Sequence, residues 1–304
     1  MKSCIQLMRQ TLVDLAAGRA TQVLRKVMPI GEGNMLGVMP AAITAKQVTG
    51  AKVISIFPGN FNKGLPSHQG VVLLFETQTG ELQAVLDAES ITAIRTAAAS
   101  AVATELLARK NAQTLAIVGS GVQARKHVEA MILVRGIKKV LVWDIDDSSA
   151  NRFAQEMGEK FSLPIQVCRT SIEAVKDADI ICTLTAAKEP VVFDAHIKEG
   201  AHINAVGACT PQTRELETAT VGRGKMYADS MESLLNEAGD FLIPFSTGEV
   251  TKDVIVGELG DTLSGKNDGR RNESEITIFE SLGLAVYDLA AADFVFKRLQ
   301  EKVL

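Results

Sequence analysis

The sequence predicts an α/β protein in two parts, one built on a parallel sheet wrapped by helices and one on an antiparallel sheet. Three observations carry this expectation. After Asn111 the runs TLAIVG, KKVLVWD, PIQVC, DIICTLT, AHINAVG and KMYADS are short and continuously apolar, and helical patterns separate several of them. Strands buried on both faces of a helix-covered sheet read this way. Between Met35 and Leu86 the strand-like runs follow one another directly, which suggests an antiparallel sheet in an α+β unit. The chain has 304 residues, 46% hydrophobic and 22% charged, which is length enough for two cores.

In chain order, residues 5–17 form an amphipathic helix. LGVMPA, TGAKVISIF, GVVLLFET and ELQAVLD then give neighbouring short strands, with Thr79-Gly80 as a turn. Residues 57–69, with two prolines and two glycines, form a loop of the ordered, functional kind. Residues 88–110 make a long alanine-rich helix with Ser90 as its N-cap. The parallel-sheet part begins at Ala112 and is followed by the polar stretch SGKNDGRRNES, an exposed loop. A helix over residues 276–299 closes the chain. The expected division is 1–111 with 276–304 for the antiparallel part and 112–275 for the parallel part.

Composition excludes several classes. Lys and Arg number 32 against 36 Asp and Glu, a net charge of −4, without the basic balance of a nucleic-acid binder. No window holds the roughly 18 apolar residues of a membrane span. The N-terminus lacks the apolar block and cleavage site of a signal peptide. A cytoplasmic protein is the expectation. Cys4, Cys168, Cys182 and Cys209 form no CxxC pair and lack zinc-like His spacing, so reduced thiols and no metal site are expected.

The chemistry starts at LAIVGSGVQA, where a strand runs into Gly119-x-Gly121-x-x-Ala124 and a helix follows. Gly119 permits the tight turn, Gly121 lets backbone approach a pyrophosphate, and Ala124 lets helix and strand pack closely. The helix N-terminus adds free N–H groups and a positive dipole end. This strand–turn–helix context makes the motif a dinucleotide fingerprint of the Rossmann kind. The next strand ends at Asp144, where such folds place an acid for the adenosine ribose. With Asp146 and Asp147 following and no Arg read nearby for a 2′-phosphate, NAD(H) is preferred, with NADP(H) left open.

The stretches LRKVMPIGEGNMLGVMPA (24–41), GAKVISIFPGNFNKGLPSHQGVVLLFE (50–76), TAIRTAAASA (92–101), VGSGVQA (118–124), INAVGACTPQTREL (203–216) and TIFESLGLAVYDLAAA (277–292) resemble the ornithine cyclodeaminase/mu-crystallin family over nearly the whole chain. The resemblance implies a Rossmann domain plus an α+β substrate domain that dimerises through its sheet. It implies Arg25, Lys52 and Arg95 as substrate-binding cations, with Leu282 beside them and Arg95 also near the cofactor. Such cations suit a carboxylate, which a guanidinium binds through two parallel charge-assisted hydrogen bonds. Lys52 lies in the apolar run AKVISIF, where an ammonium without an anionic partner carries a large desolvation cost. The resemblance further implies cofactor contacts at Ser67, Val122, Gln123, Thr185, Ile203, Asn204, Ala205, Val206 and Ser281. Ser281 and Leu282 are expected to open the last helix.

Two departures bear on function. Cyclodeaminases of the family have an Asp where this chain has Cys209, whereas its reductases and mu-crystallins more often have a small hydroxyl residue. A thiol, with a reference pKa of about 8.5, is a poorer base at neutral pH than a carboxylate. A nucleophilic role for Cys209 lacks a neighbouring His or Lys in sequence. Family members also begin with a strand ahead of the first helix, which leaves the edge of the dimer sheet open. The expected activity is hydride transfer between NAD(P)H and the α-carbon of a cyclic imino acid, such as pyrroline-2-carboxylate or piperideine-2-carboxylate, or of an amino acid. Lys52, Arg95 and Cys209 are the candidate catalytic residues. A cyclodeaminase with bound NAD and a non-catalytic crystallin-like dinucleotide binder are the alternatives. Among lesser candidates, His68 could touch a ligand, His127 is expected to be structural, His196 and His202 to meet solvent, and Asp229 to cap a helix.

Overall fold

Alternation and capping account for most of the elements in the computed structural model, which describes residues 1–303, with side chains undescribed at 61, 62, 302 and 303. The chain opens with helix α1 (Lys2–Ala16) and strands β1 (Ala20–Gln22), β2 (Lys26–Gly31), β3 (Asn34–Ile43), β4 (Val48–Ile56), β5 (His68–Glu76) and β6 (Leu82–Asp87). Helix α2 (Ala88–Leu107) follows, then β7 (Thr114–Val118), α3 (Val122–Val134), β8 (Lys139–Trp143), α4 (Asp147–Phe161), β9 (Ile165–Val167), α5 (Ser171–Val175) and β10 (Ile180–Thr183). The last third comprises β11 (His202–Ala205), α6 (Thr218–Arg223), β12 (Lys225–Ala228), α7 (Met231–Glu237), α8 (Gly239–Ser246), β13 (Ile255–Glu258), α9 (Leu259–Leu263), β14 (Thr277–Glu280) and α10 (Ala285–Val303). None of the helices is long and apolar enough to cross a membrane, among the described residues.

Two compact units result. One holds residues 1–5 and 96–282, the other residues 6–95 and 283–304. The division runs through α2 and falls after Leu282.

The larger unit is a parallel eight-stranded sheet of order β13-β12-β14-β11-β10-β7-β8-β9. Its strands read as unbroken apolar runs because helices cover both faces: β10 and β11 are buried at every residue. Strand order reverses between β7 and β10, so the carboxyl ends of these two strands flank the switch point where open α/β sheets bind ligands.

The smaller unit is an antiparallel sheet of order β1-β3-β4-β5-β6, with β2 also paired to β3. Alternation sends Val48, Lys52 and Ile54 of β4 and Val72 and Leu74 of β5 to one buried face. Helix α10 packs on that face across β3, β4 and β5. Gly50 is required there: a Cβ would lie 1.9 Å from the Leu73 carbonyl oxygen and 2.9 Å from Leu289.

Several local expectations are corrected. Residues 276–299 are not one helix: Thr277–Glu280 pairs in parallel with both β11 and β12, and α10 starts at Ala285. Ser281 and Leu282 therefore follow the strand and do not open the helix. Ser90 does not cap α2; Asp87 accepts from the backbone N–H groups of Glu89 and Ser90. Asp229 does not cap α7, whose cap is Ser230, bonded to Ser233 N–H. His202 is fully buried, away from solvent, and its ring nitrogens lie 2.9 Å from Thr277 Oγ1 and 3.3 Å from Asn204 Oδ1. Burial drives its pKa down to about 3. His127 is buried as expected, with Nδ1 on the Gln123 carbonyl and Nε2 beside Ser100, and burial takes its pKa to about 4.

Candidate active site

In the larger unit, β7 delivers the chain into a turn that only glycine fills. Gly119 has φ of 95°, and a Cβ there would lie 2.9 Å from both the Leu184 carbonyl oxygen and Thr185 Cγ2. Its N–H donates to the Trp143 carbonyl at 2.8 Å, which ties the turn to the end of β8. At Gly121 the situation is the reverse, since no atom lies within 4 Å of a Cβ placed there. Helix α3 starts one residue later without a side-chain cap, and Val122 is exposed. An uncapped helix N-terminus beside open space is an anion-binding arrangement.

Asp144 is aimed at this turn. Its Oδ2 accepts from Ser120 N at 2.6 Å and Ser120 Oγ at 2.7 Å, and its Oδ1 accepts from Asp146 N at 2.9 Å. An arginine does lie close by, contrary to expectation. Arg125 donates from Nη1 to the Ser120 and Gly121 carbonyls and from Nε to Glu156 at 2.8 Å. Its guanidinium is thereby engaged by the turn itself.

Below the turn, buried carboxyls at the C-terminal edge of the sheet hold the neighbouring loops. Glu215 Oε1 accepts from Thr185 N and Oγ1 at 2.6 and 2.7 Å, and its Oε2 accepts from Gly207 N at 2.8 Å. Asp240 Oδ1 accepts from the N–H groups of Glu215 and Leu216, both at 2.8 Å. Asp229 accepts from Leu282 N at 3.0 Å. Glu280, at the end of β14, is 1% exposed. Burial and then the charges of Asp240, Glu215, Asp229 and Cys209 push its carboxyl well above the usual range. Cys209 is half-buried near this layer, with its N–H on the Gly207 carbonyl.

The remaining residues proposed for the cofactor divide clearly. Ser281 Oγ and Gln123 Oε1 are buried and have no hydrogen-bond partner among the described residues. Ile203 and Ala205 are core side chains. The Asn204 side chain is engaged inside, donating to Thr104 Oγ1 at 2.9 Å. Beyond these comes Val206, half-buried at the strand end. Leu282 is buried in the core of this unit. The open space at Gly121, the uncapped α3 and the unpartnered Ser281 Oγ suit a dinucleotide. Among the described residues no group of three or more His, Cys, Asp or Glu could hold a metal ion.

The smaller unit gathers the cations. Lys52, on the helix-covered face of β4, places Nζ 3.0 Å from Asp288 Oδ2 and 3.3 Å from Thr92 Oγ1. Arg95, near the start of α2, donates from Nε to Asp288 Oδ1 at 2.8 Å, while its buried Nη1 has no partner among the described residues. Arg25 donates from Nη2 to the Gly283 carbonyl at 3.3 Å. Burial lowers the Lys52 pKa to about 8; Asp288 opposes that shift, and Arg95 and Arg25 add to it. Asp288 itself is held below its ordinary range because Arg95 and Lys52 outweigh its burial. Lys52 and Arg95 thus share one carboxylate, so two cations stand against one anion in this cluster. Ser67 lies in the loop before β5, its hydroxyl 2.9 Å from His68 Nδ1.

Sequence reasoning missed Asp288 and the carboxyl layer. The signal for Asp288 was present, since the buried Lys52 demanded an anion and AVYDLAAA holds a single acid in an apolar helix. Glu215, Asp240 and Glu280 gave no such signal, because each reads as a surface acid.

Residues 1–303 match the model of the ornithine cyclodeaminase/mu-crystallin family. A Delta(1)-pyrroline-2-carboxylate reductase of Bacillus cereus is 38% identical over 304 residues, covering 99% of this chain and 93% of the relative. The structure of Thermococcus litoralis Delta(1)-pyrroline-2-carboxylate reductase in complex with NADH and L-proline is similar at a TM-score of 0.97 and 38% identity, covering 100% of this chain and 94% of that one. An archaeal alanine dehydrogenase dimer with bound NAD is similar at a TM-score of 0.94 and 31% identity, over 100% and 93% of the two chains. The chain belongs to the ornithine cyclodeaminase/mu-crystallin family.

Proposed function

We propose that the protein is an NAD(H)-dependent reductase of a cyclic α-imino acid, with Δ1-pyrroline-2-carboxylate the first candidate substrate and piperideine-2-carboxylate the second. The observation that carries the reading is Arg95, whose Nε is fixed by Asp288 while its buried Nη1 has no partner among the described residues. A guanidinium held in this way offers its remaining N–H groups to a planar carboxylate. Lys52 and Arg25 add positive charge, and an imino acid brings the anion.

When bound, the dinucleotide supplies a hydride to the imine carbon; one proton goes to the imine nitrogen, giving the amino acid and the oxidised dinucleotide. The chain's own part is positioning and charge. Arg95 and Arg25 hold the carboxylate. Lys52, with its pKa near 8, carries a proton at Nζ at neutral pH, for the carboxylate or the imine nitrogen. Gly119, Gly121, Val122 and Gln123 take the pyrophosphate end, and Thr185, the 203–206 segment and Ser281 the nicotinamide end. Asp144 takes the ribose hydroxyls, and its carboxylate would repel a 2′-phosphate, which favours NAD(H) over NADP(H). Cys209 in place of a carboxylate favours reduction over cyclodeamination.

The outward face of the six-stranded sheet supports a homodimer. Val38 pairs with Val53 and Val53 with Val71, and beside them Ala51 pairs with Leu73 and Leu73 with Val85, giving two apolar rows of three strands each. Val23, Val27, Met28 and Ile30 extend the exposed apolar surface. The protein works in the cytoplasm on this reading. The likeness to an alanine dehydrogenase favours a second reading, oxidative deamination of an amino acid to ammonia on the same cations. The test is consumption of NADH with each cyclic imine, against formation of NADH from NAD⁺ with L-alanine and L-proline. Faster imine reduction supports the reductase, and turnover of L-alanine alone selects the second reading.

A further inference from the structure

Lys52 and Arg95 are each 4% exposed, and two cations at that depth repel one another and lose hydration. One fully buried carboxylate touches both, with Asp288 Oδ2 on Lys52 Nζ and Oδ1 on Arg95 Nε. The mode of contact matters. Asp288 takes Arg95 through Nε alone, and the buried Nη1 has no partner among the described residues. Gly283 leaves the Nη groups room, since a Cβ there would lie 3.1 Å from Nη1 and 3.3 Å from Nη2, and its φ of 78° suits glycine. The Gly283 carbonyl in turn accepts from Arg25.

We propose that Asp288 is a positioning residue of the carboxylate-binding site: it bridges Lys52 and Arg95, presents the Nη edge of Arg95 to the substrate's carboxylate, and sets a negative charge against the Lys52 ammonium. The proposal rests on the carboxylate-binding reading given above. Asp288 itself touches neither substrate nor cofactor in this scheme. The groups facing Lys52 are Asp288 from α10, Thr92 and Arg95 from α2, Arg25 from the loop before β2, and His68 from β5. Asp288 is the one anion among them. Without its charge, Arg95 and Arg25 would oppose the Lys52 proton and Lys52 would lose it at lower pH.

The test uses full-length wild type, Asp288→Asn and Asp288→Glu in steady-state reduction of Δ1-pyrroline-2-carboxylate between pH 6 and 10. NADH affinity is followed separately by its fluorescence. For D288N the KM for the imine should rise at least about tenfold, as when a buried charge loses its partner. The alkaline limb of kcat/KM should move down by about one pH unit. NADH affinity should stay within about twofold, because the dinucleotide motif lies in the other unit. D288E, which keeps the charge but displaces it, should keep the wild-type limb with an intermediate KM. Wild-type KM and limb in folded D288N would overturn the proposal, as would a D288E limb displaced as far as that of D288N. If D288N is not recovered folded, D288E decides: a raised KM with an unmoved limb supports the role, and a wild-type KM overturns it. If the wild type reduces no imine, the functional reading fails. The positioning role is then read from titration of pyrrole-2-carboxylate into the same three proteins, where unchanged affinity in D288N overturns it.

Discussion

Gly119 and Gly121 stand two residues apart in one turn, and the structure assigns them opposite reasons for being glycine. A Cβ at Gly121 meets no protein atom within 4 Å, and the residue's φ of −70° suits any L-amino acid. Gly121→Ala should therefore leave the fold nearly unchanged. The reduced chain entropy of the unfolded state favours alanine by about 0.4–1 kcal/mol. Loss of the glycine N-cap opposes it by a comparable amount, about 0.5–1 kcal/mol. The melting temperature should thus stay within about 3 °C, at about 2–4 °C per kcal/mol for a unit of this size. The methyl group would stand where backbone must approach the pyrophosphate, so NADH affinity should fall at least about tenfold. Gly119→Ala should behave differently. It forces a positive φ at a cost of about 1–2 kcal/mol, and its Cβ presses on the Leu184 carbonyl, so the melting temperature should drop by about 4–8 °C. The assays are thermal unfolding without ligand and NADH titration followed by fluorescence. G121A with wild-type NADH affinity would refute the assignment of this turn to the cofactor. G121A melting as low as G119A would refute the claim that the space beside it is free.

Two further outcomes follow from other parts of the molecule. His202 and His127 have folded pKa values of about 3 and 4, against 6.5 for an ordinary histidine. The unfolded chain therefore binds protons that the folded one does not; stability is full above pH 6.5 and is lost as pH falls. Each should cost about 2 kcal/mol at pH 5, so in urea unfolding His202→Gln should show a visibly shallower decline between pH 6.5 and 5 than wild type. An unchanged slope would contradict the buried, neutral assignment. At the other site, Cys209→Asp should gain formation of proline and ammonia from ornithine with NAD⁺. Equal or better cyclisation by the unmodified protein would contradict the role given to this position.

Much of this architecture was legible in the residues. The parallel sheet could be read because strands buried on both faces leave unbroken apolar runs, and the glycine motif because its chemistry is local to one turn. The substrate unit was legible as an antiparallel sheet, but β2 was missed: all six of its residues are exposed, so no alternation marks it. Residues 277–280 read as helix because TIFESLGLAV is mostly apolar and runs straight into the helical pattern after it, and periodicity cannot separate a buried strand from a buried helix in so short a run. Long-range pairing was the other limit. Lys52 declared its need for an anion, yet Arg95 and Asp288 lie 193 residues apart and only the packing of α10 on the sheet joins them. The carboxyl layer of Glu215, Asp240 and Glu280 was invisible for the same reason. Acids are seldom buried, and nothing local distinguishes these from solvated ones. His202 erred in the same direction, a polar side chain satisfied inside the core by Thr277 and Asn204.

The account's central claim is that this chain passes hydride between NADH and a cyclic imino acid whose carboxylate is held by Arg95, Lys52 and Arg25. The most direct measurement is NADH consumption with Δ1-pyrroline-2-carboxylate, with L-proline identified as product, for wild type and Arg95→Met. The account predicts stoichiometric proline from wild type and a fall in kcat/KM of at least about a hundredfold in the variant, from the loss of a charge-assisted carboxylate contact. Equal rates in the two proteins, or NADH bound by the wild type without any imine turned over, would contradict it.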